Sequence, residues 1–291
     1  MKKIKVKAKI SDDLYNVCEG ELLYSKKTPF QDVKVLKTKT YGKVLVIDGV
    51  VQMLSSSESF YHEIQVHIPM LLSQSVKNVL LLGGGVGCAL RDILKYPVER
   101  VDVVEMDKEI IEIGKKYFSG ITNNSLNDKR AKIIIGDGRN FIENCETKYD
   151  VIIVDVTDPY GQSARLFTKE FYDLAFNALK RKGILCTQAF VPFFNPKIMA
   201  TINNTVLKIF DKTLLAFVPY FDAGGFVIAL KNINLKKEME KVSSKLTDYS
   251  IKTQLIDPNM LKLVTIVPKY MQKELAKWKG QMATDNSPLT I

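Results

Sequence analysis

A chain of 291 residues, 46% of them hydrophobic, can bury one large core with a small appendage. Its four cysteines (Cys18, Cys88, Cys145, Cys186) show no close pair and no zinc spacing, and it has only two histidines, which excludes a disulfide framework and a histidine-built metal centre and leads us to expect a reducing, cytoplasmic setting. No apolar run reaches membrane-spanning length, and the net charge of +10 comes from scattered lysines without an arginine–aromatic cluster, so neither a membrane nor a nucleic acid is expected as a partner.

Residues 1–55 read as a small β unit. Its first ten residues, MKKIKVKAKI, are basic but lack the apolar block of a signal peptide. Strand-like pieces lie at 4–10, 14–24, 32–40, 43–47 and 50–53, separated by turn signals at Ser11-Asp12-Asp13, Thr28-Pro29, Tyr41-Gly42 and Asp48-Gly49. In the first piece lysines alternate with Ile4, Val6, Ala8 and Ile10, which gives one solvated face. Such a unit is too small for a catalytic core and suits an oligomer contact, a lid, or both. A polar turn at 55–59 then caps a helix carrying Phe60, Tyr61, Ile64, Ile68, Met70 and Leu71. His62 and His67 stand five apart on it, do not share a face, and predict no metal site.

From 76 to about 231 strand and helix alternate. Strands are predicted at 79–82, 101–105, 132–135, 151–155, 184–188, 213–219 and 226–230, and helices near 89–95, 108–118, 141–144, 168–180 and 196–209. The pattern predicts an α/β protein. A small N-terminal β domain (1–55) precedes a Rossmann-like, doubly wound domain (56–279) with its site at the carboxyl ends of mostly parallel strands.

The organising stretch is VLLLGGGVGCALRDILKYPVERVDVVEMD, residues 79–107. An apolar strand leads into Gly83, Gly84, Gly85 and Gly87, where the backbone can turn tightly and a ligand can approach closely. A helix and a second strand follow, and Glu105 ends the unit about 20 residues past the glycines, where a carboxylate grips ribose hydroxyls. The glycines alone fit nicotinamide-type and adenosylmethionine-type sites. The second is favoured because Cys88 occupies the third fingerprint position and a further turn, Gly136-Asp137-Gly138, follows the next strand. A carboxylate at Asp137 can accept a hydrogen bond from an adenine amino group. At the end of strand 151–155, Asp155 and Asp158 stand three apart beside a polar loop with Gly161; they suit general-base work on an amine, or else only cap the turn. Beyond Asn232 the chain is lysine-rich, with a surface helix predicted at 235–246, a last strand at 262–267, a helix at 268–279 and a loose polar tail at 280–291.

Six stretches in order resemble the spermidine synthase family of polyamine aminopropyltransferases: FQDVKVLKTKTYGKVLVIDGVVQ (30–52), YHEIQVHIPM (61–70), LLGGGVGCALRDILKYP (81–97), VEMD (104–107), GDGRNF (136–141) and DVTDPYGQSARLF (155–167). The resemblance implies a small β domain on a Rossmann-like catalytic domain of the adenosylmethionine-dependent methyltransferase type, assembled as a homodimer or homotetramer. It implies transfer of an aminopropyl group from decarboxylated S-adenosylmethionine, a co-substrate and not a bound cofactor, to a small amine such as putrescine, with methylthioadenosine leaving and no metal needed. Carried onto this sequence, it implies that Gln31 and Gln52 face the nucleoside and sulfonium, that Gly83 and Gly85 cradle the donor, that Glu105 holds the ribose and that Asp137 and Gly138 hold the adenine. Asp158 would be the base or the acceptor that orients the amine, with Tyr61 beside it; His62, near the reaction centre, and Asp155 would belong to the donor-binding set. Residues 158–167 would form a gate.

The chain departs from the family pattern on the amine side. Val86 stands where the glycine motif has an acid that grips the aminopropyl ammonium. Ser57 replaces the acid before the helix, Val156 and Gln162 alter the aspartate and gate loops, and the substrate loop reads PYFDAGGF at 219–226. The family's histidine-containing segment near the C-terminus is not recognisable at 259–268. Asp222, Glu58 and Glu170 are the acids that could take over on this side. Val86 motivates an alternative in which S-adenosylmethionine itself donates a methyl or aminocarboxypropyl group. A non-catalytic nucleoside-binding paralogue is the third reading, and a dehydrogenase fits the glycine spacing poorly.

Overall fold

The structure, a computed structural model, describes residues 2–9, 15–219 and 224–289. Five antiparallel strands, neighbours in chain order, form the first sheet: β1 (Lys3–Lys9), β2 (Tyr15–Lys27), β3 (Asp32–Lys37), β4 (Lys43–Ile47) and β5 (Val50–Leu54). Alternation does its work in β1, where Lys5 and Lys7 face solvent and Val6 is buried. Asp48 and Gly49 take φ of 49° and 81°, the pair of positive angles that a tight hairpin between β4 and β5 demands. The adjoining ends of the first two expected strands, at residues 10 and 14, lie outside the described residues.

The second sheet contains β6 (Asn78–Gly83), β7 (Arg100–Glu105), β8 (Ala131–Ile135), β9 (Tyr149–Asp155), β10 (Leu179–Gln188), β11 (Lys212–Phe217) and β12 (Gly225–Leu230). Their spatial order is β11-β12-β10-β9-β6-β7-β8. The five strands from β10 to β8 are parallel, while β12 runs antiparallel to both β10 and β11. The direction of winding reverses between β6 and β9, the switch point at which sheets of this kind form their crevice, at the strands' carboxyl ends.

Among the described residues eleven α-helices accompany the sheets: α1 (Glu58–Leu72), α2 (Cys88–Ile93), α3 (Lys108–Ile113), α4 (Ser119–Thr122), α5 (Gly138–Glu143), α6 (Lys169–Ala178), α7 (Pro196–Val206), α8 (Leu235–Glu240), α9 (Val242–Asp248), α10 (Pro258–Val264) and α11 (Lys269–Ala276). The strands are apolar on both faces, so alternate residues serve two cores. Val79, Leu81, Val101, Val103, Val151 and Ile153 pack under α1, α2 and α8–α10. Leu80, Leu82, Ile152, Val154 and Leu185 pack under α5, α6, α7 and α11. A third cluster lies between the small sheet and the helices beside the second sheet: Val33, Val35, Leu45, Ile47 and Met53 meet Cys88, Ile110, Ile113 and Phe118. Each large side chain fully buried there is worth roughly 1.5–3 kcal/mol, so the small sheet is fixed to the glycine loop's own helix.

Three expectations for the C-terminal third are corrected. Residues 262–267 are not a strand. Asp257 Oδ1 accepts the N–H groups of Asn259 (2.8 Å) and Met260 (2.7 Å), and with Pro258 in the first turn this cap starts α10. The surface helix at 235–246 breaks at Lys241 into α8 and α9. The polar tail is not loose: Ala283 and Leu289 enter the second core, and Ala283 N–H donates to Thr205 Oγ1 at 2.9 Å. Among the described residues no helix is long and apolar enough to cross a membrane.

Candidate active site

The crevice is built on β6. Gly83 has φ of 80°, and a Cβ on it would lie 2.1 Å from the carbonyl oxygen of Asp155, so only glycine lets β6 turn against β9. A Cβ on Gly85 would lie 2.6 Å from Glu105 Oε2. The close approach has a purpose: Gly85 N–H donates to Glu105 Oε2 (3.2 Å) and Asp107 N–H to Oε1 (3.0 Å), which fixes the carboxylate at the lip of the crevice. Burial pushes the Glu105 carboxyl up to about 7, against the pull of these backbone donors. The next turn is tied alongside, because Gly136 N–H donates to the Glu105 carbonyl at 3.0 Å. Asp137 caps α5 with Oδ1, accepting from Arg139 N–H (2.8 Å) and Asn140 N–H (2.9 Å), while Oδ2 faces Arg165 at 3.6 Å. Gly138 is the first residue of α5.

The small sheet contributes from the side. Gln31 Nε2 and Thr28 Oγ1 donate to Asp107 Oδ2 at 3.0 and 2.8 Å, which seats the β2–β3 turn on the turn that follows Glu105. Gln52 is half-buried on β5, next to Met53, whose sulfur lies 3.6 Å from Cys88 Sγ.

The other side of the crevice is acidic. Asp155 ends β9, and its Oδ1 accepts from Gln65 Nε2 of α1 at 2.9 Å. Asp158 follows on the loop, within 3.4 Å of Gln188 Nε2 at the end of β10. Gln188 is oriented in turn by Phe190 N–H, which donates to its Oε1 at 2.8 Å. Tyr61 packs edge-on against Phe226, with ring centroids 4.8 Å apart. Burial, and then the charges of Asp155 and Asp158, hold its phenol well above the ordinary value, so it stays a neutral donor facing two carboxylates. Gln65 and Gln188 escaped the sequence reading, although each is a polar residue buried in a largely apolar element.

His62 Nδ1 lies 2.8 Å from both the Glu58 carbonyl and Glu58 Oε2. Burial pulls the imidazole pKa down, but the Glu58 hydrogen bond and the charges of Asp155 and Glu58 outweigh it and leave it raised. Arg91 grips Glu58 from the other side at 2.5 and 3.3 Å and Asp92 at 2.7 Å. Glu58, His62 and Cys88 offer ligand atoms within 4.8 Å of one another, a trio that the spacing of the histidines did not suggest. Arg91 already neutralises the carboxylate, and burial holds the Cys88 thiol well above its ordinary value, so the trio presents little anionic charge to a cation. Of the three acids considered for the amine side, Glu58 is committed to this pair. Glu170 Oε2 accepts from Asp285 N–H at 2.9 Å in the tail, and Asp222 lies outside the described residues, as does most of its loop (220–223). Val86 packs against the junction between the sheets.

Residues 58–244 match the spermine/spermidine synthase domain, and residues 20–54 match the spermidine synthase tetramerisation domain. The chain belongs to the spermine/spermidine synthase family. Polyamine aminopropyltransferases of Caldicellulosiruptor saccharolyticus and Clostridium tetani are 36% and 32% identical to it, each match covering 90% of this chain and 94% of the relative. A spermidine synthase solved in complex with the transition-state analogue AdoDATO is 27% identical and superposes with a TM-score of 0.87, covering 94% of this chain and 95% of its own. The Thermotoga maritima spermidine synthase is 25% identical, with a TM-score of 0.85 and 94% of each chain covered. Within this spermine/spermidine synthase family member, Glu105, Asp137, Asp155, Asp158, Tyr61 and His62 lie in the first matched stretch and Gln31 and Gln52 in the second.

Proposed function

We propose that the chain is a polyamine aminopropyltransferase that moves an aminopropyl group from decarboxylated S-adenosylmethionine to a primary amine such as putrescine. The observation that carries this reading is that Gly85, Glu105 and Asp137, suited to cradle a nucleoside, and the cluster of Asp155, Asp158 and Tyr61 gather at the carboxyl end of one sheet. Glu105 takes the ribose hydroxyls, Asp137 Oδ2 and the Gly138 backbone take the adenine, and Gln31 and Gln52 face the sulfonium side. The amine lone pair attacks the methylene next to sulfur. A C–N bond forms, the C–S bond breaks with its electron pair passing to sulfur, and methylthioadenosine leaves uncharged. Asp158 takes the proton from the attacking nitrogen or holds that nitrogen in line, with Tyr61 and Asp155 fixing its direction. Orientation and deprotonation are the main sources of rate, since the leaving group needs no activation. The donor is consumed as a co-substrate, and no step requires a metal.

The reading extends to assembly and place. The sheet of residues 1–55 serves as the contact of a homodimer or homotetramer, residues 56–279 carry the chemistry, and the enzyme works in the cytoplasm. The names of its relatives support aminopropyl transfer over methyl transfer or a silent site. Calorimetry with decarboxylated and ordinary S-adenosylmethionine side by side, with methylthioadenosine as control, tests it. Tighter binding of the decarboxylated form is expected despite Val86. Preference for S-adenosylmethionine would replace this reading with methyl or aminocarboxypropyl transfer, and no binding of any of the three would remove the nucleoside site.

A further inference from the structure

We propose that the C-terminal tail is a strap that positions the adenine side of the crevice and the far hinge of the gate, with Arg139 and Asp285 as positioning residues. The inference rests on the transferase reading above. Arg139 is the second residue of α5, directly after the Asp137-Gly138 turn, and is only 6% exposed. Its guanidinium donates to the Arg165 carbonyl (3.0 Å), Thr168 Oγ1 (3.1 Å), Asp285 Oδ1 (2.7 Å) and Asp285 Oδ2 (2.5 Å). One buried cation thus joins the adenine turn, the last residues of the 158–167 loop, the cap of α6 and the tail.

The tail is built to reach it. Ala283 N–H is held by Thr205, Lys169 N–H donates to the Ala283 carbonyl at 2.9 Å, and Thr284 and Ser287 pair across a turn that presents Asp285. Asp285 N–H is held by Glu170, and its Oδ1 also accepts from Thr168 Oγ1 at 2.7 Å. Without Asp285 the guanidinium keeps two neutral acceptors, the Arg165 carbonyl and Thr168 Oγ1, but loses the one counter-charge it has among the described residues of this network, so its hold on Arg165 and the α5 turn loosens. Arg165 also faces Asp137 Oδ2, the atom assigned to adenine, so slack at the hinge is transmitted to the nucleoside.

The test is calorimetric binding of methylthioadenosine to the full chain and to Asp285→Asn, with steady-state kinetics and hydrogen exchange over 158–167. We expect the variant's dissociation constant and donor KM to rise together by about tenfold, kcat to change by less than about twofold, and the loop to exchange faster. Arg139→Lys keeps the charge but cannot span three partners, and should reproduce this pattern. Glu170→Gln, which touches the strap without exposing the buried cation, should give a smaller shift of the same kind. A lower melting temperature with unchanged nucleoside affinity and KM would make the tail structural only and overturn the strap alone. A wild-type protein that binds no methylthioadenosine would overturn the strap and the transferase reading together.

Discussion

Glu105 offers a prediction that can be worked through from its surroundings. Burial raises its pKa to about 7, so the ligand-free protein is half protonated there near neutrality. In the role proposed for Glu105, ribose hydroxyls donate to the carboxylate, so bound nucleoside would favour the ionised form and lower the pKa. Affinity is therefore full above pH 7 and falls as pH drops through it. Between pH 8 and pH 6 the ionised fraction of the free protein drops roughly tenfold, and the association constant for methylthioadenosine should drop by about the same factor while proton release grows. Glu105→Gln removes the titration and sets an NH2 group against the N–H of Gly85 or Asp107, which now donate to the carboxylate. Exchanging a charged acceptor for a neutral one at the ribose costs about 1.5–3 kcal/mol, a loss of roughly tenfold to a hundredfold. Calorimetry at pH 6, 7 and 8 in buffers of differing ionisation enthalpy reads both effects. A wild-type affinity that is flat across this range, together with an unchanged affinity in Glu105→Gln, would refute the assignment of Glu105 to the ribose. The same raised pKa means that folding stability from this group is lost as pH rises from about 4.5 to about 7, because the unfolded carboxyl ionises first.

Three further substitutions probe the other elements. Asp158→Asn should lower kcat by roughly 10²- to 10⁴-fold and leave methylthioadenosine affinity within about twofold; equal loss of both would show that Asp158 shapes the pocket and does not act on the amine. Gly85→Ala forces a Cβ to 2.6 Å from Glu105 Oε2 and should abolish measurable nucleoside binding while the melting temperature stays within a few degrees, whereas normal binding would mean the loop shifts freely. Val86→Asp sets a carboxylate beside the apolar junction of the two sheets, and should lower stability by about 1–3 kcal/mol while raising the preference for decarboxylated over ordinary S-adenosylmethionine. An unchanged donor ratio would show that position 86 does not meet the transferred chain.

The turns proposed for the nucleoside were legible because their backbone chemistry is local. Glycines, Glu105 and Asp137 occupy turns whose backbone requirements are written in a few adjacent residues, and the two-faced strands announce themselves as apolar runs. The tail was misread because Asp285 finds Arg139 across 146 positions, and a polar stretch looks loose when its partner is out of sight. Likewise buried Glu63 accepts the N–H groups of Gln254 (2.7 Å), Leu255 (2.8 Å) and Ile256 (3.1 Å), a link that no local pattern reveals. The strand expected at 262–267 failed for the opposite reason. Its apolar, partly β-branched composition suggested extension, while the Asp257-Pro258 start signal just upstream was decisive. Gln65 and Gln188, which hold Asp155 and Asp158, were hidden inside segments read for their apolar residues.

Product analysis under turnover decides whether the chain transfers an aminopropyl group. Purified protein would be incubated with decarboxylated S-adenosylmethionine and putrescine, and separately with S-adenosylmethionine and putrescine, and the products resolved by mass spectrometry. Aminopropyl transfer gives methylthioadenosine and spermidine in equal amounts from the first mixture, none of either without the amine, and negligible turnover in the second. S-adenosylhomocysteine with a methylated amine from the second mixture, or no product from the first, would contradict it.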